Sequence, residues 1–147
     1  MNILMVCLGN ICRSPLAQGI LESKVDSSVV FVDSAGTSGW HNGKLPDARS
    51  IEVARKNGLD ITNQQSRKFI VEDFDRFDII YAMDRSNKRN ILSLARSQKD
   101  VAKVKLILNE VSSDDNEVPD PYYGEGDGFV NVYEMLDEAC EIIASRI

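Results

Sequence analysis

Four short apolar runs, separated by helical patterns, most strongly constrain how this chain can fold. The runs cover residues 3–7, 29–32, 79–82 and 104–108, and each has the length and composition of a buried strand. Strands that alternate with helices are joined by right-handed crossovers, which produce a parallel sheet covered on both faces. We therefore expect one α/β domain over residues 1–147, a doubly wound, flavodoxin-like, four-stranded parallel sheet with strand order 2-1-3-4.

Helical patterns fill the intervals between these runs. Ser14, which a proline follows, suits the N-cap of a first helix, and Asp47 and Asp84 suit the N-caps of two later ones. The second helix is expected to end at the Asn-Gly pair 57–58, a typical C-cap signal. Apolar side chains at helical spacing predict a last helix over about 129–147.

Composition and charge exclude several classes of protein. Seventeen Lys and Arg against 23 Asp and Glu give a net charge of −6, which provides no general attraction for nucleic acid or an anionic membrane. No apolar stretch has the length of a signal peptide core or a membrane span. Three cysteines and one histidine match neither a secreted disulfide framework nor a zinc site. We expect a cytoplasmic monomer that holds no metal or cofactor.

The segment that leaves the first strand carries the strongest chemical signal. It places five residues between a cysteine and an arginine, in the order Cys7-Leu8-Gly9-Asn10-Ile11-Cys12-Arg13-Ser14-Pro15. Since the loop opens a helix whose free N–H groups point back at it, it predicts an anion-binding cradle. There Arg13 would grip phosphoryl oxygens, and Cys7 would be favoured as a nucleophilic thiolate. The alternative is that Cys7 is an ordinary buried strand residue.

Cleavage of a phosphate ester also needs a proton for the departing oxygen. With one histidine in the chain, a carboxylic acid is the expected donor, and Asp120 is the candidate because prolines on both sides restrict its backbone. A simple polar turn is the alternative at this position. The nearby acidic residues Asp114, Asp115 and Glu117 are expected to form a solvated loop face.

Four segments resemble those of one known family, the low-molecular-weight protein tyrosine phosphatases, across essentially the whole chain. They are the loop quoted above, Ser34-Ala35-Gly36-Thr37 with Trp40-His41, Met83-Asp84-Arg85-Ser86-Asn87, and Asp120-Pro121-Tyr122-Tyr123-Gly124. The resemblance implies an enzyme that hydrolyses protein phosphotyrosine and small aryl phosphates without a metal. It also implies a phosphocysteine on Cys7, phosphate binding by Arg13, and Asp120 as the general acid and base.

The resemblance implies further roles around the cleft. Asn10 would hold the strained shape of the loop, and Ser14 would donate a hydrogen bond to the thiolate. Cys12 would close a reversible disulfide with Cys7, although a packed thiol is the alternative. Gln64 departs from the histidine that many members carry there. The aromatic side chains expected to contact the substrate ring are Trp40, Tyr122 and Tyr123, with ordinary packing as the alternative for Trp40.

Related proteins of other function differ from this chain at identifiable positions. Arsenate reductases carry two further cysteines after the third strand, where residues 81–90 have none. Protein-arginine phosphatases carry threonine in place of Ile11, and the bulkier isoleucine suits an aryl ester better. Phosphocarriers resembling the enzyme IIB sugar-transport components lack the arginine and the acid. We therefore expect a phosphatase that acts on phosphotyrosine proteins. The resemblance to the family also implies a cognate tyrosine kinase as a partner.

Overall fold

A parallel four-stranded sheet lies at the centre of the computed structural model, which describes residues 1–112, 114, 116–124 and 127–147. In chain order the strands are β1 (Asn2–Cys7), β2 (Phe31–Gly36), β3 (Ile79–Ala82) and β4 (Val104–Leu106). All neighbours pair in parallel, in the order β2-β1-β3-β4. The predicted single-domain α/β fold and strand order 2-1-3-4 are confirmed.

Helices cover both faces of this sheet. They are α1 (Arg13–Lys24), α2 (Ala48–Lys56), α3 (Asp73–Arg76), α4 (Arg85–Leu92), α5 (Gln98–Lys103) and α6 (Gly128–Ser145), with a 3₁₀ turn at Ile107–Glu110. Because successive strand residues face opposite sides, Ile3 and Met5 pack under α1, α2 and α6, whereas Leu4 and Val6 pack toward α3 and α4. Two apolar cores therefore hold β1 rigidly between them.

Most predicted elements are confirmed, with shifts at their ends. β2 begins at Phe31 because the N–H groups of Val29 and Val30 both bond to the carbonyl of Asp26 in a turn. The expected N-cap role of Ser14 is wrong, since α1 begins at Arg13 and the Ser14 hydroxyl is used elsewhere. The carboxylates of Asp47 and Asp84 do cap α2 and α4.

The acidic loop after β4 is described only in part. Asp114 and Glu117 are exposed, as expected of a solvated face, and Asp115 lies outside the described residues. Glu117 accepts a hydrogen bond from the backbone N–H of Arg85 at 2.8 Å, which fastens this loop to the start of α4. Within the described ranges, no helix has the length and apolar character needed to cross a membrane.

Candidate active site

The loop between β1 and α1 folds around the sulfur of Cys7, the last residue of β1. The side chain is only 2% exposed, and its Sγ lies 3.0 Å from the Oγ of Ser14. The backbone N–H of Asn10 donates to the same sulfur at 3.3 Å. The sulfur also lines a surface cleft, so it faces polar donors and an opening rather than apolar neighbours alone. The sulfur is therefore held by two polar groups and open to a molecule that enters the cleft.

Asn10 holds the loop in this shape. Its φ of 56° is left-handed, a conformation that asparagine adopts more readily than most residues. Its Nδ2 donates to the hydroxyls of Ser14 at 2.8 Å and Ser34 at 2.9 Å, and its Oδ1 accepts from the N–H of Arg67 at 3.1 Å. Because the Ser14 hydroxyl accepts from Asn10, its own hydrogen is available to the sulfur of Cys7.

The end of β2 supports the loop from behind. Gly36 packs so closely that a Cβ at this position would lie 2.8 Å from the carbonyl oxygen of Leu8 and 3.1 Å from the nitrogen of Asn10. One residue later, the N–H of Thr37 donates to the carbonyl of Cys7 at 2.9 Å. Gly36 is therefore required on steric grounds, because any larger residue at this position would displace the loop.

A polar segment ahead of α3 supports the loop from its outer side. The hydroxyl of Ser66 donates to the carbonyl of Gly9 at 3.0 Å. Gln64 is buried, and its Nε2 donates to the carbonyl of Pro15 in the first turn of α1 at 3.0 Å. Gln64 thus reaches the helix that follows the loop.

Arg13 is nearly fully buried, at 2% exposure, and its guanidinium is fixed by two acceptors. Its Nη1 donates to the carboxylate of Asp84 at 2.6 Å and to the carbonyl of Val118 at 2.9 Å. Burial opposes its charge, but the facing Cys7 and then Asp84 outweigh that effect and raise the pKa of Arg13. Sequence reasoning gave Asp84 only a capping role and missed this ion pair. The only indication in the sequence was that Asp84 lies in residues 83–87, one of the four segments that resemble the family.

Asp120 reaches the same cleft from a distant part of the chain. Its Oδ2 lies 3.7 Å from Nη2 of Arg13, and its Oδ1 accepts from the N–H of Tyr122 at 3.0 Å. The hydrogen bond closes a turn in which the carboxyl of Asp120 faces the opening and lines the cleft together with Cys7. The fold thus brings together the three residues that the sequence indicated as chemical groups.

Aromatic side chains surround the mouth of the cleft. Trp40 is 75% exposed and Tyr123 is 92% exposed, so neither serves core packing. The Tyr122 ring stands edge-on to Tyr123 at 4.8 Å between centroids, and its centroid lies 6.3 Å from that of His41. All four line the cleft, which offers flat apolar walls above a polar floor.

Cys12, the second cysteine of the loop, also lines the cleft. Burial, followed by the negative charge of Asp47, raises the pKa of Cys12 to about 12. It is therefore a neutral thiol near pH 7. All three cysteines, including Cys140 in the core, are free thiols in this structure. The reversible disulfide between Cys7 and Cys12 stays a prediction.

Two substitutions of Asn10 should separate the effect of backbone strain on stability from the effect of its side-chain hydrogen bonds. Both Asn10→Ala and Asn10→Gly remove the side-chain bonds, which are worth about 1 kcal/mol each. Glycine tolerates a positive φ, whereas alanine resists it by about 1–2 kcal/mol. We therefore expect both variants to be less stable than the wild type, with Asn10→Ala about 1 kcal/mol below Asn10→Gly in urea denaturation. Equal stabilities would contradict a strained loop.

The described residues contain no group of three or more His, Cys, Asp or Glu side chains placed to hold a metal ion. A loop that can hold an anion, a thiol at its centre and an acid facing its arginine together suit phosphoryl transfer.

Comparison with known proteins agrees with this geometry. Residues 2–147 match the family model described as low molecular weight phosphotyrosine protein phosphatase. A Schizosaccharomyces pombe protein of that name is 43% identical over 141 residues, covering 92% of this chain and 89% of its own. The structure of Vibrio vulnificus Wzb in complex with benzylphosphonate is 30% identical with a TM-score of 0.88, covering 99% of this chain and 98% of its own.

A Drosophila arginine phosphatase structure is similar to the same extent. It is 34% identical with a TM-score of 0.90, covering 99% of this chain and 97% of its own. The match of the family model over residues 2–147, together with a relative that is 43% identical over 92% of this chain, establishes the family. This chain belongs to the low molecular weight phosphotyrosine protein phosphatases.

Proposed function

We propose that this chain hydrolyses protein phosphotyrosine, and small aryl phosphates, through a phosphocysteine intermediate on Cys7. One observation carries the proposal. The sulfur of Cys7, the buried guanidinium of Arg13 and the carboxyl of Asp120 line one cleft, with Arg13 and Asp120 3.7 Å apart. A phosphoryl group placed over the sulfur would meet a positive charge on one side and an acid on the other.

In the first step the Cys7 thiolate attacks phosphorus, in line with the bond to the tyrosine oxygen. The S–P bond forms as the P–O bond breaks, and Asp120 gives its proton to the departing phenolate oxygen. Arg13 and the backbone N–H groups of the loop stabilise the charge that spreads over the three transferring oxygens. Asp84 helps because it keeps the guanidinium in place before substrate arrives.

In the second step water hydrolyses the phosphocysteine. Asp120, now a carboxylate, accepts a proton from the water while the water oxygen bonds to phosphorus. The S–P bond breaks, inorganic phosphate leaves and the Cys7 thiolate is restored, held again by the hydroxyl of Ser14. The cycle thus balances with water as its only co-substrate.

The walls of the cleft favour an aryl ester. A phenyl ring can lie between the exposed rings of Trp40 and Tyr122, while Ile11 adds apolar surface to the lining of the cleft. The benzylphosphonate held by the Vibrio protein has the same combination of ring and phosphoryl-like group. Phosphoarginine is the second candidate, because a structural neighbour is an arginine phosphatase. The planar apolar walls support phosphotyrosine over it.

Initial rates in the presence of EDTA test the proposal. We expect p-nitrophenyl phosphate and a phosphotyrosine peptide to be hydrolysed at rates that EDTA does not change. The matched phosphoserine peptide should have a kcat/KM lower by about 10²-fold or more, since it cannot fill the aromatic walls. Faster hydrolysis of a phosphoarginine peptide would replace the proposal with the second candidate, and no turnover of any substrate would contradict both.

A further inference from the structure

A second depression lies beside the catalytic cleft, between one face of α2, from its first residue to its last, and the first turn of α6. Its floor is formed by Val53 and Phe129, and Val130 stands on its wall with 45% of its surface exposed. Arg49, Glu52 and Lys56 lie around its edge. We call it the flanking groove. The steps of catalysis derived above use none of its apolar residues.

One side chain joins the flanking groove to the cleft. The guanidinium carbon of Arg49 lies 4.6 Å from the ring centroid of Phe129 in the groove and 5.6 Å from that of Tyr122 in the cleft. Its Nη2 also donates to the carbonyl of Tyr122 at 3.0 Å. An extended peptide advances about 3.3–3.6 Å per residue, so a chain whose phosphotyrosine occupies the cleft reaches the groove within a few residues.

The charges at the edge indicate what that chain carries. Arg49 is paired with Asp47, its Nη2 lying 3.0 Å from a carboxylate oxygen, and Glu52 is paired with Arg55. Lys56 is exposed and makes no ion pair with any residue that the structure describes. The groove therefore offers an apolar floor with one available cation beside it, which complements an apolar residue adjacent to an acidic one.

We propose that the flanking groove binds the substrate peptide beside the phosphotyrosine, taking an apolar side chain over Val53 and Phe129 with an acidic neighbour at Lys56. This rests on the proposed function, because it assigns the sequence context of the phosphotyrosine held in the cleft. The site thereby prefers some phosphoproteins over others, although the phosphoryl and aryl groups are the same in all of them. Small aryl phosphates do not reach the groove.

Paired synthetic phosphotyrosine peptides test this assignment. The two peptides of a pair differ at one position, which is leucine in one and alanine in the other. That position lies two to four residues before or after the phosphotyrosine, and a glutamate stands next to it in both peptides. At one of these positions leucine should raise kcat/KM by about tenfold. Val130→Glu and Lys56→Glu should each remove most of that preference. The new charge of Val130→Glu should not destabilise the helix, because a negative charge is favourable in the first turn of α6. Both should retain wild-type kcat/KM for p-nitrophenyl phosphate.

Matched controls exist at positions that line neither the flanking groove nor the cleft. Val101 is a helical valine with 38% exposure on α5, and Lys105 is an exposed lysine on β4. Val101→Glu and Lys105→Glu should keep the leucine preference. The inference is overturned if leucine gives no preference in the wild type, if the groove variants keep it, or if Val130→Glu instead changes the oligomeric state in sedimentation. Failure of the proposed function is distinct, because the wild type would then not hydrolyse p-nitrophenyl phosphate.

Discussion

Cys7→Ser should lose at least about 10⁴-fold in the turnover of p-nitrophenyl phosphate while the protein stays folded. A serine hydroxyl is not ionised at neutral pH, so the hydrogen bonds and positive charge that suit a thiolate cannot make it an effective nucleophile. Phosphate should still bind, because Arg13 and the loop N–H groups remain in place. Steady-state rates and the protection of Tm by phosphate measure the two effects separately.

The matched control removes a buried thiol far from the cleft. Cys140 lies in the core against the carbonyl of Ala17, and burial raises its pKa to about 12, so it is a neutral packing group. Cys140→Ala should retain near wild-type kcat with some loss of stability. A Cys7→Ser variant that kept substantial turnover, or a Cys140→Ala variant that lost it at a temperature where it is folded, would contradict the assignment of the nucleophile.

Asp120→Ala should lower kcat/KM by about 10²–10⁴-fold for aryl phosphates with a basic leaving phenol, such as phosphotyrosine, which is the usual contribution of a positioned general acid. The loss should grow with the basicity of the leaving phenol, because a poor leaving group depends most on protonation. A series of substituted phenyl phosphates measures this. The wild-type rate should vary little along the series, and the variant rate should fall steeply.

The control for Asp120 is another exposed carboxylate of the same loop. Asp114→Ala removes a negative charge whose only described side-chain contact is the hydroxyl of Ser112, at 2.9 Å. It should keep both the wild-type rate and the flat dependence on the leaving group. If the rate of Asp120→Ala depended as little as the wild-type rate on the basicity of the leaving phenol, the proton would have to come from another group.

The parts of the site that lie close together in the chain could be predicted from the sequence. Cys7, Asn10 and Arg13 share one strand–loop–helix unit, and the geometry of such units dictates that the loop faces the cleft at the end of the sheet. The fold was predictable for a similar reason, since strands buried on both faces and amphipathic helices leave periodic apolar patterns. Asp120 became a firm candidate only through resemblance to a family.

Contacts between distant segments could not be predicted, because no local pattern records them. The pairing of Arg13 with Asp84 joins residues 71 positions apart, and a capping aspartate has the same local sequence whether or not an arginine meets it. The short helix α3 was also missed, since four residues show no helical period. It is held by Asp73, a fully buried carboxylate that accepts from Arg67 and from the N–H of Ile70.

Trapping the covalent intermediate tests the account most directly. p-Nitrophenolate leaves readily without protonation, so Asp120→Ala should still form the phosphocysteine and then hydrolyse it slowly. Acid quenching during turnover, followed by peptide mass spectrometry, should find one phosphoryl group on Cys7 and none on Cys12 or Cys140. A phosphoryl group on any other residue, or continued release of p-nitrophenol with no phosphoryl group on the protein, would contradict a thiolate nucleophile held against Arg13.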